Sequence, residues 1–138
     1  MFSVRGNLVD IGAKEIYAAE IIVEGNRISI INKLSNTTQT GWPYIMPGFI
    51  DSHVHIESSL LVPASFARMA VVHGTIATVS DPHEIANVCG KEGIEYMLAG
   101  RHEIPLDIFL MLPSCVPAIP LEEGGATLTA ADLKPFIS

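Results

Sequence analysis

The chain has 138 residues, 49% of them hydrophobic, which is ample for a packed core and excludes a disordered polypeptide. A formal charge of −7, with only 8 Lys and Arg and no basic cluster, argues against nucleic acid or an anionic membrane surface as a partner. No run approaches the ~18 apolar residues of a membrane span, the opening MFSVRGNLVD has no secretory apolar segment, and Cys89 and Cys115 lack paired spacing, so the chain reads as cytoplasmic with reduced thiols.

Residues 1–45 read as short strands with turns. NLVDI, EIYAAEIIV and RISIIN are rich in β-branched residues, and Gly25-Asn26 between the last two is a hairpin signal, because both residues tolerate positive φ. An antiparallel β unit is expected. The polar stretch NKLSNTTQTGWP is then expected to leave that unit for a different layer.

From residue 46 the style changes. IMPGFIDSHVH is an apolar run ending in polar residues, VPASFARMAVVHG has helical spacing with Pro63 near its start and Gly74 past its end, and TIATVSD is a buried-type strand. The pattern repeats: IANVCGKEGIEYMLAGRHEI has helical spacing around Ile94, Met97 and Leu98, and LDIFLMLPS is a third apolar run with a polar end. After a loop containing EEGGA, Thr129 and Asp132 resemble a capping box opening another helix. This alternation predicts an α/β fold with buried strands in a parallel sheet, either open or closed into a barrel. The tail ADLKPFIS stops inside an expected helix. A closed (βα)8 barrel takes about 250 residues, so about three of its eight units fit, and the chain reads as the N-terminal part of something longer.

The strand ends carry the chemistry. His53 and His55 lie at i and i+2, so an extended backbone presents both imidazoles on one side, where two neutral rings can ligate one divalent metal. A bare HxH is more often a polar strand end, but this one closes the first βα strand, where α/β enzymes place their sites. The second strand ends in Asp81, His83 and Glu84 around Pro82. They read as a turn and a helix start, or as titratable groups on the same face as the histidine pair. Ser114 and Cys115 end the third strand and either touch a substrate or pack; taken alone, Cys115 reads as packing before function. Glu57 either orients an imidazole or bonds the backbone of its own loop. His73 and His102, at helix ends, read as surface or capping residues.

MPGFIDSHVHIESSLLVP, GTIATVSDPHEIANVCG and PSCVPA together resemble the N-terminal quarter of the adenine deaminases, a branch of the amidohydrolase superfamily. PGFIDxHxH alone would indicate only the superfamily. The resemblance implies the N-terminal portion of a metal-dependent amidohydrolase (βα)8 TIM barrel over 46–138, preceded over 1–45 by part of a small β-sandwich built from both chain ends. It implies a divalent, binuclear centre of manganese, iron or zinc, with His53 and His55 as ligands and the remaining ligands beyond residue 138. The implied reaction is hydrolysis of adenine to hypoxanthine and ammonia in purine salvage, and the 138 residues alone are expected to be inactive. Glu57, Asp81, His83 and Glu84 are then the catalytic candidates, with roles open, and Ser114 and Cys115 the substrate-binding ones. The expected partners are a small purine and further copies of the chain. The zinc cytidine-deaminase signature, H-x-E with P-C-x-x-C, is not present. Two other readings stay open: an amidohydrolase of another cyclic amide or amidine, and a non-catalytic domain that binds metal or a partner.

Overall fold

The β-branched runs at the start of the chain form β1 (Phe2–Asp10), β2 (Glu15–Glu24) and β3 (Arg27–Lys33), paired antiparallel in the order β3-β2-β1. The β2–β3 hairpin stands where the sequence signals it: Glu24 pairs with Arg27, and of the two turn residues Gly25 alone takes a positive φ, 61°. Asp10 Oδ1 accepts a hydrogen bond from Ala13 N–H at 2.9 Å and so closes the β1–β2 turn. Leu8, Tyr17, Ala19 and Ile21 form the core of this unit, with Val23 and Ile45 against it.

The polar stretch after β3 does not leave for another layer. It returns to the sheet, and β4 (Tyr44–Ile45) pairs parallel to β1. Two residues of β1 account for this. Buried Asn7 donates from Nδ2 to the carbonyls of Gln39 (3.0 Å) and Trp42 (3.2 Å), and its Oδ1 accepts from Gln39 N–H (2.8 Å). Gly6 leaves room beside it, since a Cβ there would stand 2.6 Å from Ile45 Cγ1 and 2.7 Å from the Pro43 carbonyl oxygen. A single side chain thus clasps a loop more than thirty residues away.

The structure, a computed structural model, describes residues 1–119 and 121–137 and divides into two units, Met1–Pro47 and Gly48–Ser138. In the second unit β5 (Phe49–Val54), α1 (Pro63–Val71), β6 (Thr75–Ser80), α2 (His83–Ala99) and β7 (Asp107–Leu110) alternate, and the three strands are parallel in the order β5-β6-β7. Pro63 sits in the first turn of α1, where its missing N–H costs nothing. With strands in sequential order, right-handed crossovers put both helices on the same face. The core agrees: Ala67 and Phe66 of α1 and Met97 of α2 share one cluster with Ile56, Leu106, Ile108 and Val54.

The opposite face holds Ile50, Val79 and Phe109, and it is bare: Ile50 is 64% and Phe109 58% exposed. The expectation of buried strands therefore fails for β5, because among the described residues only β6 pairs with it and nothing covers this face. An apolar run records a need for burial, not the partner that meets it.

α2 is interrupted. Gly90 takes φ 61°, ψ −137°, which breaks the helix in its middle. The carbonyl of Asn87, released from the helical ladder, accepts from Ala126 N–H at 3.1 Å, and Gly125 lies directly on the Val88 carbonyl, where no side chain would fit. The EEGGA segment is thus a patch over the break. Beyond it, Thr129 and Asp132 form the capping box of α3 (Ala130–Leu133): each side chain meets the other residue's backbone N–H.

Candidate metal centre

Parallel pairing continues past the strands. Asp81 N–H donates to the Val54 carbonyl (3.0 Å) and Met111 N–H to that of Ser80 (2.8 Å), so the three carboxyl ends lie side by side. Val54 packs into the helix-covered core, and the residues flanking it, His53 and His55, project from the other side.

The two rings meet edge to face, with centroids 4.9 Å apart and an interplanar angle of 81°, and their Nε2 atoms stand 3.2 Å apart. Two imidazoles bound to one ion at about 2.1 Å, subtending about 100°, have nitrogens about 3.2 Å apart. The pair already has that spacing. The tautomer is set as well: His55 Nδ1 lies 2.8 Å from the Asp81 carbonyl oxygen, which can only accept, so the proton is on Nδ1 and the lone pair on Nε2.

Carboxylates complete the surroundings. Glu84 Oε2 stands 2.8 Å from His55 Nδ1, and Glu84 Oε1 accepts from the Ser58 hydroxyl at 3.0 Å. Glu57 Oε1 accepts from Ile85 N–H at 3.3 Å, in the first turn of α2, where the helix dipole favours a negative charge. Its other oxygen, Oε2, is buried with no hydrogen-bond partner, and so is Asp81 Oδ1. Ligand atoms of His55, Glu57 and Glu84 all lie within 4.8 Å of one another. Burial pushes the Glu57 carboxyl above its ordinary range, against the pull of its own and Ile85's backbone N–H, and the Glu84 charge adds to the rise. At Glu84 burial acts the same way but is outweighed by the backbone, the Ser58 hydroxyl and His55, so this carboxyl is held low. A buried carboxylate oxygen without a donor near His55, whose ring in turn meets that of His53, belongs to a donor set that suits a divalent cation.

Of the residues singled out from sequence, the structure gathers His53, His55, Glu57, Asp81 and Glu84. Asp81 meets His55 through its carbonyl, and Glu57 reaches across to the Ile85 N–H in the first turn of α2. His83 opens α2 half-buried, and among the described residues its side chain makes no hydrogen bond or ion pair. Ser114 and Cys115 touch each other (Oγ···Sγ 3.6 Å) and are exposed, so Cys115 is not a core residue here. Ser58, which sequence reasoning passed over, joins this group through its hydroxyl bond to Glu84. The only signal for it was a hydroxyl directly after Glu57.

The family model described as "Amidohydrolase family" matches residues 44–136. The chain belongs to the amidohydrolase family. Within it, this amidohydrolase chain is similar to proteins named adenine deaminase. It is 64% identical to that of Methanoculleus marisnigri over 93 residues, which is 67% of the chain and 18% of the relative. It is 53% identical to that of Methanosarcina barkeri over 131 residues (94% and 23%) and 47% identical to that of Clostridium acetobutylicum over 133 residues (95% and 23%). The amidohydrolase chain therefore spans about a fifth to a quarter of the length of the curated relatives it matches.

Proposed function

We propose that the protein of which this chain is part hydrolyses adenine to hypoxanthine and ammonia, and that this chain supplies the first half of its metal centre. The observation that carries the reading is the His53–His55 pair: nitrogens at ligand spacing, tautomer fixed by a backbone carbonyl, at the carboxyl end of the first strand of a parallel sheet. Relatives named adenine deaminase, similar over most of the chain, support the substrate.

The proposed cofactor is divalent manganese, iron or zinc, as a binuclear centre, and when bound it supplies the Lewis acidity that makes water a nucleophile near neutral pH. His53 and His55 hold it through Nε2. Glu57, Asp81, His83 and Glu84 are the proposed pocket groups. The buried oxygens Glu57 Oε2 and Asp81 Oδ1 are the ones with bonding capacity left to direct at the reacting molecules. Ser114 and Cys115 are proposed to contact the purine. In the net reaction water adds at C6, the C6–N bond breaks, and one proton leaves with the amine as ammonia.

The sequential order of β5, β6 and β7, with both helices on one face, supports the first βα units of a (βα)8 barrel over 46–138. Residues 1–45 are proposed as part of a β-sandwich. No helix among the described residues is long and apolar enough to cross a membrane. A cytoplasmic, homo-oligomeric enzyme of purine salvage is the proposed setting.

The test is hypoxanthine formation by the protein expressed from its own reading frame and loaded in turn with Mn2+, Fe2+ or Zn2+. Adenine turnover that disappears on chelation supports the reading. Turnover confined to a panel of other cyclic amides and amidines replaces the substrate, and no metal uptake overturns the centre itself.

A further inference from the structure

We propose that Ser58 is a positioning residue for the metal centre, acting through Glu84 on His55. This rests on the reading of His53 and His55 as ligands and names a residue beyond that set. Ser58 lies in the 3-10 turn Ile56–Ser59, and its N–H donates to the His55 carbonyl at 3.1 Å, so the serine is fixed relative to the imidazole it serves. Its hydroxyl reaches 26 residues along the chain to Glu84 Oε1 at 3.0 Å, while Glu84 Oε2 stands 2.8 Å from His55 Nδ1. Each carboxylate oxygen has its own partner.

The neighbouring serine is spent otherwise. Ser59 Oγ donates to the Ile56 carbonyl at 2.6 Å inside the turn, so of the two serines only Ser58 is turned to the site. The Glu84 side chain is 49% exposed and would sample several rotamers if held at one end only. Held at both ends, it keeps a negative charge beside the Nδ1 proton. That charge favours the tautomer in which Nε2 carries the lone pair and makes this nitrogen a better donor to a cation. The contact also joins the loop after β5 to the start of α2. It fixes where the imidazole stands relative to the second strand end.

The experiment measures the affinity of Zn2+ alone, by competition with a chromophoric chelator, in the protein expressed from its own reading frame. Ser58→Ala should weaken Zn2+ binding about 10-fold without moving the unfolding midpoint of the metal-free protein, since Ser58 is exposed and outside the core. Ser58→Thr, which keeps the hydroxyl, should restore affinity to within about twofold. In a Glu84→Gln background, Ser58→Ala should add nothing, because the charge through which the serine acts is gone. Unchanged affinity in Ser58→Ala, a full additional loss in the double variant, or a loss shared by Ser58→Thr overturns the role of Ser58. Failure of the unsubstituted protein to bind Zn2+ at all overturns the metal-centre reading beneath it.

Discussion

His53 and His55 should respond differently to the same truncation, although both are assigned as ligands. Ala at either position leaves a single imidazole where two converge, and the shared Nε2 contact at 3.2 Å is lost from both variants, so it cancels in the comparison. What does not cancel are the contacts of His55 Nδ1, a bond to the Asp81 carbonyl at 2.8 Å and an exposed one with Glu84 Oε2 at 2.8 Å. His53 has no counterpart among the described residues. A hydrogen bond of this kind is worth about 1 kcal/mol net, so His55→Ala should destabilise the metal-free protein by about that much, whereas His53→Ala, at an exposed position, should stay within about 0.5 kcal/mol. Metal affinity should fall in both by at least about 100-fold, the upper end of what outer-shell changes alone produce. Urea unfolding after chelation gives the first quantity, and Zn2+ competition with metal counting gives the second. Equal unfolding midpoints in the two variants would refute the anchoring of His55 through Nδ1. Full occupancy at unchanged affinity in either variant would refute the ligand assignment.

Asn7→Ala removes three hydrogen bonds from a buried side chain and should cost about 2–4 kcal/mol in urea unfolding, with amide exchange at Gln39 and Asn7 accelerating first. The Asp132 carboxyl is held below its ordinary range by the Thr129 hydroxyl, then by Thr129 N–H and Lys91. A depressed folded value means that the contribution is present above the unfolded pKa and is lost as pH falls through the folded one. Thr129→Ala should therefore speed exchange across Ala130–Leu133 more at neutral pH than in acid, where only the bond from Asp132 N–H to the Thr129 hydroxyl is left to lose, as followed by hydrogen exchange at two pH values.

The parts of this chain that were legible in sequence are those in which side chains state their own geometry. Gly25-Asn26 announced a hairpin because few residues accept that backbone, Thr129 and Asp132 a cap because their spacing permits only that reciprocity, and His53 and His55 a pair because a strand repeats every two residues. What stayed hidden was done by backbone or by distant neighbours. The Asp81 carbonyl and the Ile85 N–H exist at every position of any chain, so no residue type reveals that these two were recruited. β4 has only two residues, below any periodicity, and was visible only through Asn7 and Gly6, whose significance depends on a loop more than thirty residues away. Cys115 read as a core thiol because thiols usually are, yet the end of β7 leaves it in solvent.

The interruption of α2 at Gly90 divides one helix into two pieces with different obligations. The front piece, His83–Cys89, carries Glu84 and takes its bearings from Ser58 and Glu57. The rear piece holds Ile94 and Met97 in the core, and its Lys91 stands 3.5 Å from Asp132 Oδ1. In an unbroken rod the two pieces would share one axis, and Glu84 would stand wherever that axis carried it. The glycine works like a universal joint between the two, and the segment that closes over it keeps the joint from hanging loose. The two pieces still meet through side chains, since Ala86 packs with Ile94, and Ile85 joins the cluster in which Met97 lies with Val54 and Ile56 beside the histidine pair.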